Sequence, residues 1–97
     1  MRIKWARSAT RHRIARKASG HVARNPSTTI RQPAPVGSPH QDERIVFLGP
    51  DESGVMLEVM AVQTDEALVI IHAIPVRNRY RKYLEPDLND QEGDGDA

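Results

Sequence analysis

The chain contains no cysteine among its 97 residues. This excludes disulfides, thiolate metal sites and cysteine nucleophiles, and a domain of this size without crosslinks suits a reducing cytoplasm. Aromatic residues are scarce, with one Trp, two Tyr and one Phe, so the core must be mostly aliphatic. No segment approaches the roughly 18 uninterrupted apolar residues of a membrane helix. The most apolar stretch, around Leu68–Ile71, has the length of a buried strand. The basic N-terminus lacks the apolar segment of a secretory signal. The expectation is a cytoplasmic chain with no membrane partner. Acidic residues are missing from residues 1–41, which hold Arg2, Lys4, Arg7, Arg11, Arg13, Arg16, Lys17, Arg24 and Arg31. Lys and Arg are missing in turn from residues 85–97, which hold Glu85, Asp87, Asp90, Glu92, Asp94 and Asp96. The net charge of +1 hides this split, which points to a polyanion at one end and a solvated acidic tail at the other.

What is present suggests one domain over residues 1–86, with a mobile Pro-rich loop at 32–42 and a disordered tail at 87–97. Met1–Trp5 is a short extended lead-in. Ala6, Thr10, Ile14, Ala18 and Val22 recur every four residues, an apolar helical stripe. Gly20 costs about 1 kcal/mol inside a helix, so the stripe predicts two short helices, 7–13 and 16–24, with a bend near Ile14. Ser8 is placed to cap the first, and Asn25-Pro26 ends the second. Residues 27–31 form an edge strand. Strands then follow at 44–48, 55–63 and 67–74, joined by the turns 49–54 and 64–66 as an antiparallel meander, the last and most apolar strand being central. A basic helix over 76–84 closes the fold. The predicted class is α+β: two N-terminal helices packed on a three- to four-stranded antiparallel sheet, with a short C-terminal helix.

Three groups of residues carry candidate chemistry. Arg7, Arg11, Arg13, Arg16, Lys17 and Arg24 gather cations on helical faces without interleaved acids, as a phosphate-binding surface requires. The same charge suits an acidic protein partner. At the other end, Arg and Tyr alternate after the last strand: His72, Arg77, Arg79, Tyr80, Arg81, Lys82 and Tyr83. Guanidinium groups grip phosphates and tyrosine rings stack on bases. RNA cleavage through its own 2′-OH needs a base, cations at the phosphorane and an acid for the leaving oxygen. His72 titrates in the right range to be base or acid; either tyrosine could instead pack the helix on the sheet. Glu58 interrupts the apolar run 55–60. An outward position on a half-exposed sheet is expected, the alternative being a site carboxylate facing His72 or Arg77. His12, His21, His40 and His72 lack metal-ligand spacing, and neither a phosphate loop nor a nucleophile elbow is present.

The run Ala9-Thr10-Arg11-His12-Arg13-Ile14, the helix ending in Asn25-Pro26, the strand Arg44–Gly49, the segment Leu57-Glu58-Val59, and Val69–Ile74 followed by Arg77, Tyr80 and Tyr83 together resemble small bacterial toxins of the BrnT and RelE-like kind. The resemblance spans about residues 6–84. It implies a metal-independent endoribonuclease of a type II toxin–antitoxin pair, without cofactor, acting on mRNA free or at the ribosome. It also implies a cognate antitoxin and a homo- or hetero-oligomer with it. The resemblance implies Arg77, Tyr80 and Tyr83 as site residues and the N-terminal basic residues as the RNA surface. Together with the residue chemistry above, the catalytic candidates are His72, Arg77, Tyr80 and Tyr83, and the RNA-binding candidates are Arg7, Arg11, Arg13, Arg16, Lys17, Arg79 and Arg81. The chain departs from the family at Ser8, where relatives often have His, and at its long Pro-rich loop and Pro75. A non-catalytic nucleic-acid-binding or protein-interaction module is the rival expectation.

Overall fold

A computed structural model describes residues 2–34, 36–37 and 42–84. The expected acidic tail at 87–97 and most of the expected Pro-rich loop lie outside the described residues. Among the described residues five strands form one sheet: β1 (Ile3–Trp5), β2 (Thr28–Gln32), β3 (Arg44–Pro50), β4 (Met56–Gln63) and β5 (Leu68–Pro75), in the order β1-β5-β4-β3-β2. Two short helices accompany them, α1 (Arg16–Arg24) and α2 (Asn78–Arg81).

The expected arrangement of two N-terminal helices on a three- to four-stranded antiparallel sheet is therefore corrected in three respects. The lead-in is a strand, β1, which pairs parallel to β5 with Ile3 opposite Leu68 and Trp5 opposite Ile70. Its addition makes β4, rather than β5, the middle of the sheet. The predicted helix over 7–13 is only a 3-10 turn at Arg7–Thr10. Its backbone is tied to the sheet edge just beyond β1: the Ala6 N–H donates to the Ile70 carbonyl at 2.8 Å, and the Ser8 hydroxyl, expected to cap a helix, donates to the Ile71 carbonyl at 2.7 Å. Arg13, at φ 64°, then turns the chain through the left-handed region and stops any helical continuation into α1. Finally, the C-terminal helix is one turn long rather than spanning 76–84.

Strand alternation sorts the core onto two faces. On one, Leu57, Val59 and Ala61 of β4 join Ile45, Phe47, Leu68, Ile70 and Ala73 beneath Val22 and Ala23 of α1. On the other, Val46 and Leu48 of β3 pack against Tyr80 of α2, with Ile30, Met60, Val76 and Leu84 around them. The helices thus cover opposite faces. Close approaches explain two glycines. A Cβ on Gly49 would come within 3.0 Å of the Ser27 backbone nitrogen, whose N–H donates to the Leu48 carbonyl. A Cβ on Gly20 would come within 3.1 Å of the Trp5 ring, so the residue that weakens α1 by propensity is the one that lets it settle on β1.

The β3–β4 turn is held by Asp51, whose carboxylate accepts from the N–H groups of Ser53 and Val55 at 2.8 and 2.9 Å, with Gly54 at φ 89°. A bulge between β4 and β5 pairs Met60 with His72 but Ala61 with Ile70, leaving Ile71 as the extra residue. Strict alternation from Ile70 would send His72 to the α1 face. The bulge turns it to the α2 face, beside Glu58.

Candidate functional site

Glu58 is the third residue of the central strand and is 1% exposed. The outward, solvated position expected for it is corrected. An ionised carboxylate at such a place is costly unless it is paired and hydrogen-bonded, and the chain after β5 supplies the pairing. Pro75 ends the strand, and Val76 and Arg77 fold back over the sheet. The Arg77 backbone N–H donates to Glu58 Oε1 at 2.9 Å, Arg77 Nε reaches Oε1 and Oε2 at 3.0 and 2.9 Å, and Nη2 donates to Oε2 at 2.6 Å. The Arg77 side chain is 43% exposed, and its attachment to Glu58 raises its pKa above the ordinary arginine value.

His72 completes the group. Its Nε2 lies 3.5 Å from Glu58 Oε2, beyond a formed hydrogen bond, and this buried nitrogen has no hydrogen-bond partner. Burial disfavours the imidazolium and lowers the His72 pKa from 6.5; the Glu58 charge opposes the shift, and Arg77 and His12 add to it. The ring is therefore neutral near pH 7. Its side chain is 26% exposed, and the exposed His12, in the bend before α1, meets it edge-on with ring centroids 5.7 Å apart. His12, Glu58, Arg77 and His72 thus come from four parts of the sequence to one end of the α2 face.

The tyrosines divide differently from what their spacing suggests. Tyr80 is the buried one, 2% exposed, and its hydroxyl accepts a hydrogen bond from Gln32 Nε2 at 3.0 Å. The Arg77 and Arg79 guanidinium groups lie over its ring at 5.8 and 5.2 Å. Tyr83 is 40% exposed, beside Tyr80 and under the Lys82 ammonium. Arg81 donates to the Asn78 side chain.

The other basic residues lie elsewhere. Arg7, Arg11 and Arg13 are exposed along the bend between β1 and α1. Arg16 stands over the Trp5 ring at 5.8 Å, and Lys17 is 3.4 Å from Glu52. Since α1 and α2 occupy opposite faces, the structure separates Arg16 and Lys17 from Arg79 and Arg81. Sequence reasoning passed over His12, whose only examined role was metal binding, and Trp5. For Glu58 the alternative reading, a carboxylate facing His72 or Arg77, is the one found, and the expected outward position is not. Among the described residues no group of three or more His, Asp or Glu side chains is arranged to hold a metal ion, and no helix is long and apolar enough to cross a membrane. No protein-family model, curated protein or solved structure matches the chain.

Proposed function

We propose that this protein is an RNA-cleaving toxin of a toxin–antitoxin pair, working without a metal cofactor. The observation that carries the reading is the meeting of two histidine rings beside a buried Glu58–Arg77 pair, flanked by a basic segment free of acids. Neutral His72 takes the proton of an RNA 2′-OH. The 2′ oxygen attacks the adjacent phosphorus, and the bond from phosphorus to the 5′ oxygen breaks. His12, as the general acid, delivers a proton to that departing oxygen, leaving a 2′,3′-cyclic phosphate. Glu58 holds Arg77 in place, and the exposed side of the Arg77 guanidinium, with Arg79, stabilises the charge that develops on the phosphorane. Tyr80 serves this scheme as the platform under both guanidinium groups, while Tyr83 is open to a stacked base. The resemblance of residues 6–84 to BrnT and RelE-like toxins supports the same reading and names the partner, an antitoxin expressed alongside. Inducible expression tests it: the chain alone arrests growth, and co-expression of the product of the neighbouring reading frame relieves the arrest. Normal growth at full expression of the chain alone overturns it.

A second reading is favoured by a specific observation. The Arg77 charge is already matched by Glu58, and the Tyr80 hydroxyl is already occupied by Gln32. A non-catalytic module that holds RNA through its cations would have these features. It predicts RNA binding that weakens steeply with salt, with the RNA left intact.

A further inference from the structure

On the face opposite His72, between α1 and the end of β1, lies a groove of about 300 Å³. Its floor is Trp5, the chain's single tryptophan. The indole Nε1–H donates to Ser19 Oγ at 2.9 Å, Ser19 is itself buried, and the indole ring lies against Gly20, where an added Cβ would come within 3.1 Å of it. Arg16, Lys17, His21 and Arg24 rise from one side of α1 around this aromatic surface, with Glu52 across the opening. Three permanent cations therefore face one carboxylate, which already holds Lys17 at 3.4 Å. Arg16 lies over the indole at 5.8 Å, so the ring already accepts a planar cation on its face.

A hydrogen-bonded aromatic plane rimmed by cations is the arrangement that receives a base and its phosphate together, the base by stacking and the phosphate by charge-assisted hydrogen bonds. The volume stands at the small end of the roughly 300–1,000 Å³ of ligand pockets, which limits the occupant to about one nucleotide unit. We infer that this groove binds a single nucleotide unit, its base on Trp5 and its phosphate between Arg16 and Arg24. The shared chemistry has two sources, a free mononucleotide or one unit of a single strand threading past the molecule. The inference rests on the proposed RNA-directed function only for the second source, in which residues 7–13 carry the strand from the groove to His12 and His72.

Trp5 reports its own occupancy. Its fluorescence, measured on the full chain, is expected to change saturably with adenosine or uridine monophosphate, while inorganic phosphate or the bare nucleoside is at least about tenfold weaker. A single-stranded oligouridylate binding about tenfold or more tighter than uridine monophosphate assigns the strand as the source; equal affinity assigns the free nucleotide. Arg16→Gln with Arg24→Gln, both at exposed positions, weakens nucleotide binding by about tenfold or more without altering the melting curve. His72→Ala abolishes RNA cleavage but leaves the fluorescence response intact, so loss of the proposed nuclease and loss of this site are separate results. No fluorescence change with mononucleotide or oligonucleotide up to millimolar concentration, or an unchanged response in the double variant, overturns the inference.

Discussion

Glu58 and Arg77 are unequal partners, and their substitution exposes the difference. Glu58 is buried whereas the outer side of Arg77 meets solvent, so removing the arginine strands a carboxylate in the sheet while removing the carboxylate lets the guanidinium turn to water. Arg77→Ala is expected to cost about 3–5 kcal/mol in urea unfolding, and Glu58→Ala less. Replacing both by methionine is expected to recover most of the loss, as for other buried ion pairs. His72 makes stability depend on pH in a definite sense. Its pKa is lowered from 6.5 by burial, so above that pH the folded and unfolded chains are both neutral at this site and it contributes nothing. As pH falls below 6.5 the unfolded chain takes up a proton that the folded chain resists, and stability falls until the folded protein is protonated too. Melting curves between pH 7.5 and 5 are expected to show this decline, and in His72→Gln it is expected to be smaller, with the remainder due to other groups. A decline of equal size in the variant would remove His72 from the account.

The elements show where sequence signals were sufficient. The strands expected at 44–48, 55–63 and 67–74 were legible because apolar runs broken by turn residues leave little choice, although the first runs on through Gly49 and Pro50, which the sequence placed in the turn. The helix 16–24 was legible from its stripe and from Asn25-Pro26. The failures share a cause, which is that pairing outside the local sequence decided the structure. Ile3-Lys4-Trp5 alternates as a strand should, but three residues carry no signal until β5 offers an edge. The four-residue spacing of Ala6, Thr10 and Ile14 suggested a helix, yet Ser8 and Ala6 are bonded to β5 and Arg13 reverses the chain. The candidate site was half legible for the same reason. The residue types at 58, 72 and 77 announced an acid, a histidine and a cation, but their meeting depends on the bulge at Ile71, which no local pattern marks. At this scale Gly49→Ala tests the packing of β2 on β3. The Cβ would press on the Ser27 backbone, which cannot swing away as a side chain does, and a loss of about 1–3 kcal/mol in thermal or urea unfolding is expected. Unchanged stability would mean that the close approach is not held.

At the scale of the whole molecule, charge and fold set different things. In the proposed function the cations of residues 7–17 supply affinity for a phosphate chain without choosing its sequence, and the proposed chemistry falls to the α2 face. Each phosphate neutralised on a single strand contributes a slope of about −0.7 to the dependence of log affinity on log salt. Arg11→Gln with Arg13→Gln is therefore expected to flatten that slope by roughly 1.4, two contacts at that value, and to slow cleavage only through weaker binding. His12→Ala is expected to do the opposite, leaving the salt dependence and lowering the rate by about 10²–10⁴-fold, the range of one acid or base. The most direct test of the central claim is to incubate the purified chain with a single-stranded RNA in a chelator, and to compare it with the same RNA carrying 2′-deoxy sugars at the cut positions. The account predicts that the RNA is cut to 2′,3′-cyclic phosphate ends, that the deoxy positions resist, and that His72→Ala stops the reaction while RNA still binds. RNA that binds but stays intact at stoichiometric protein, or is cut equally well by His72→Ala, would contradict it.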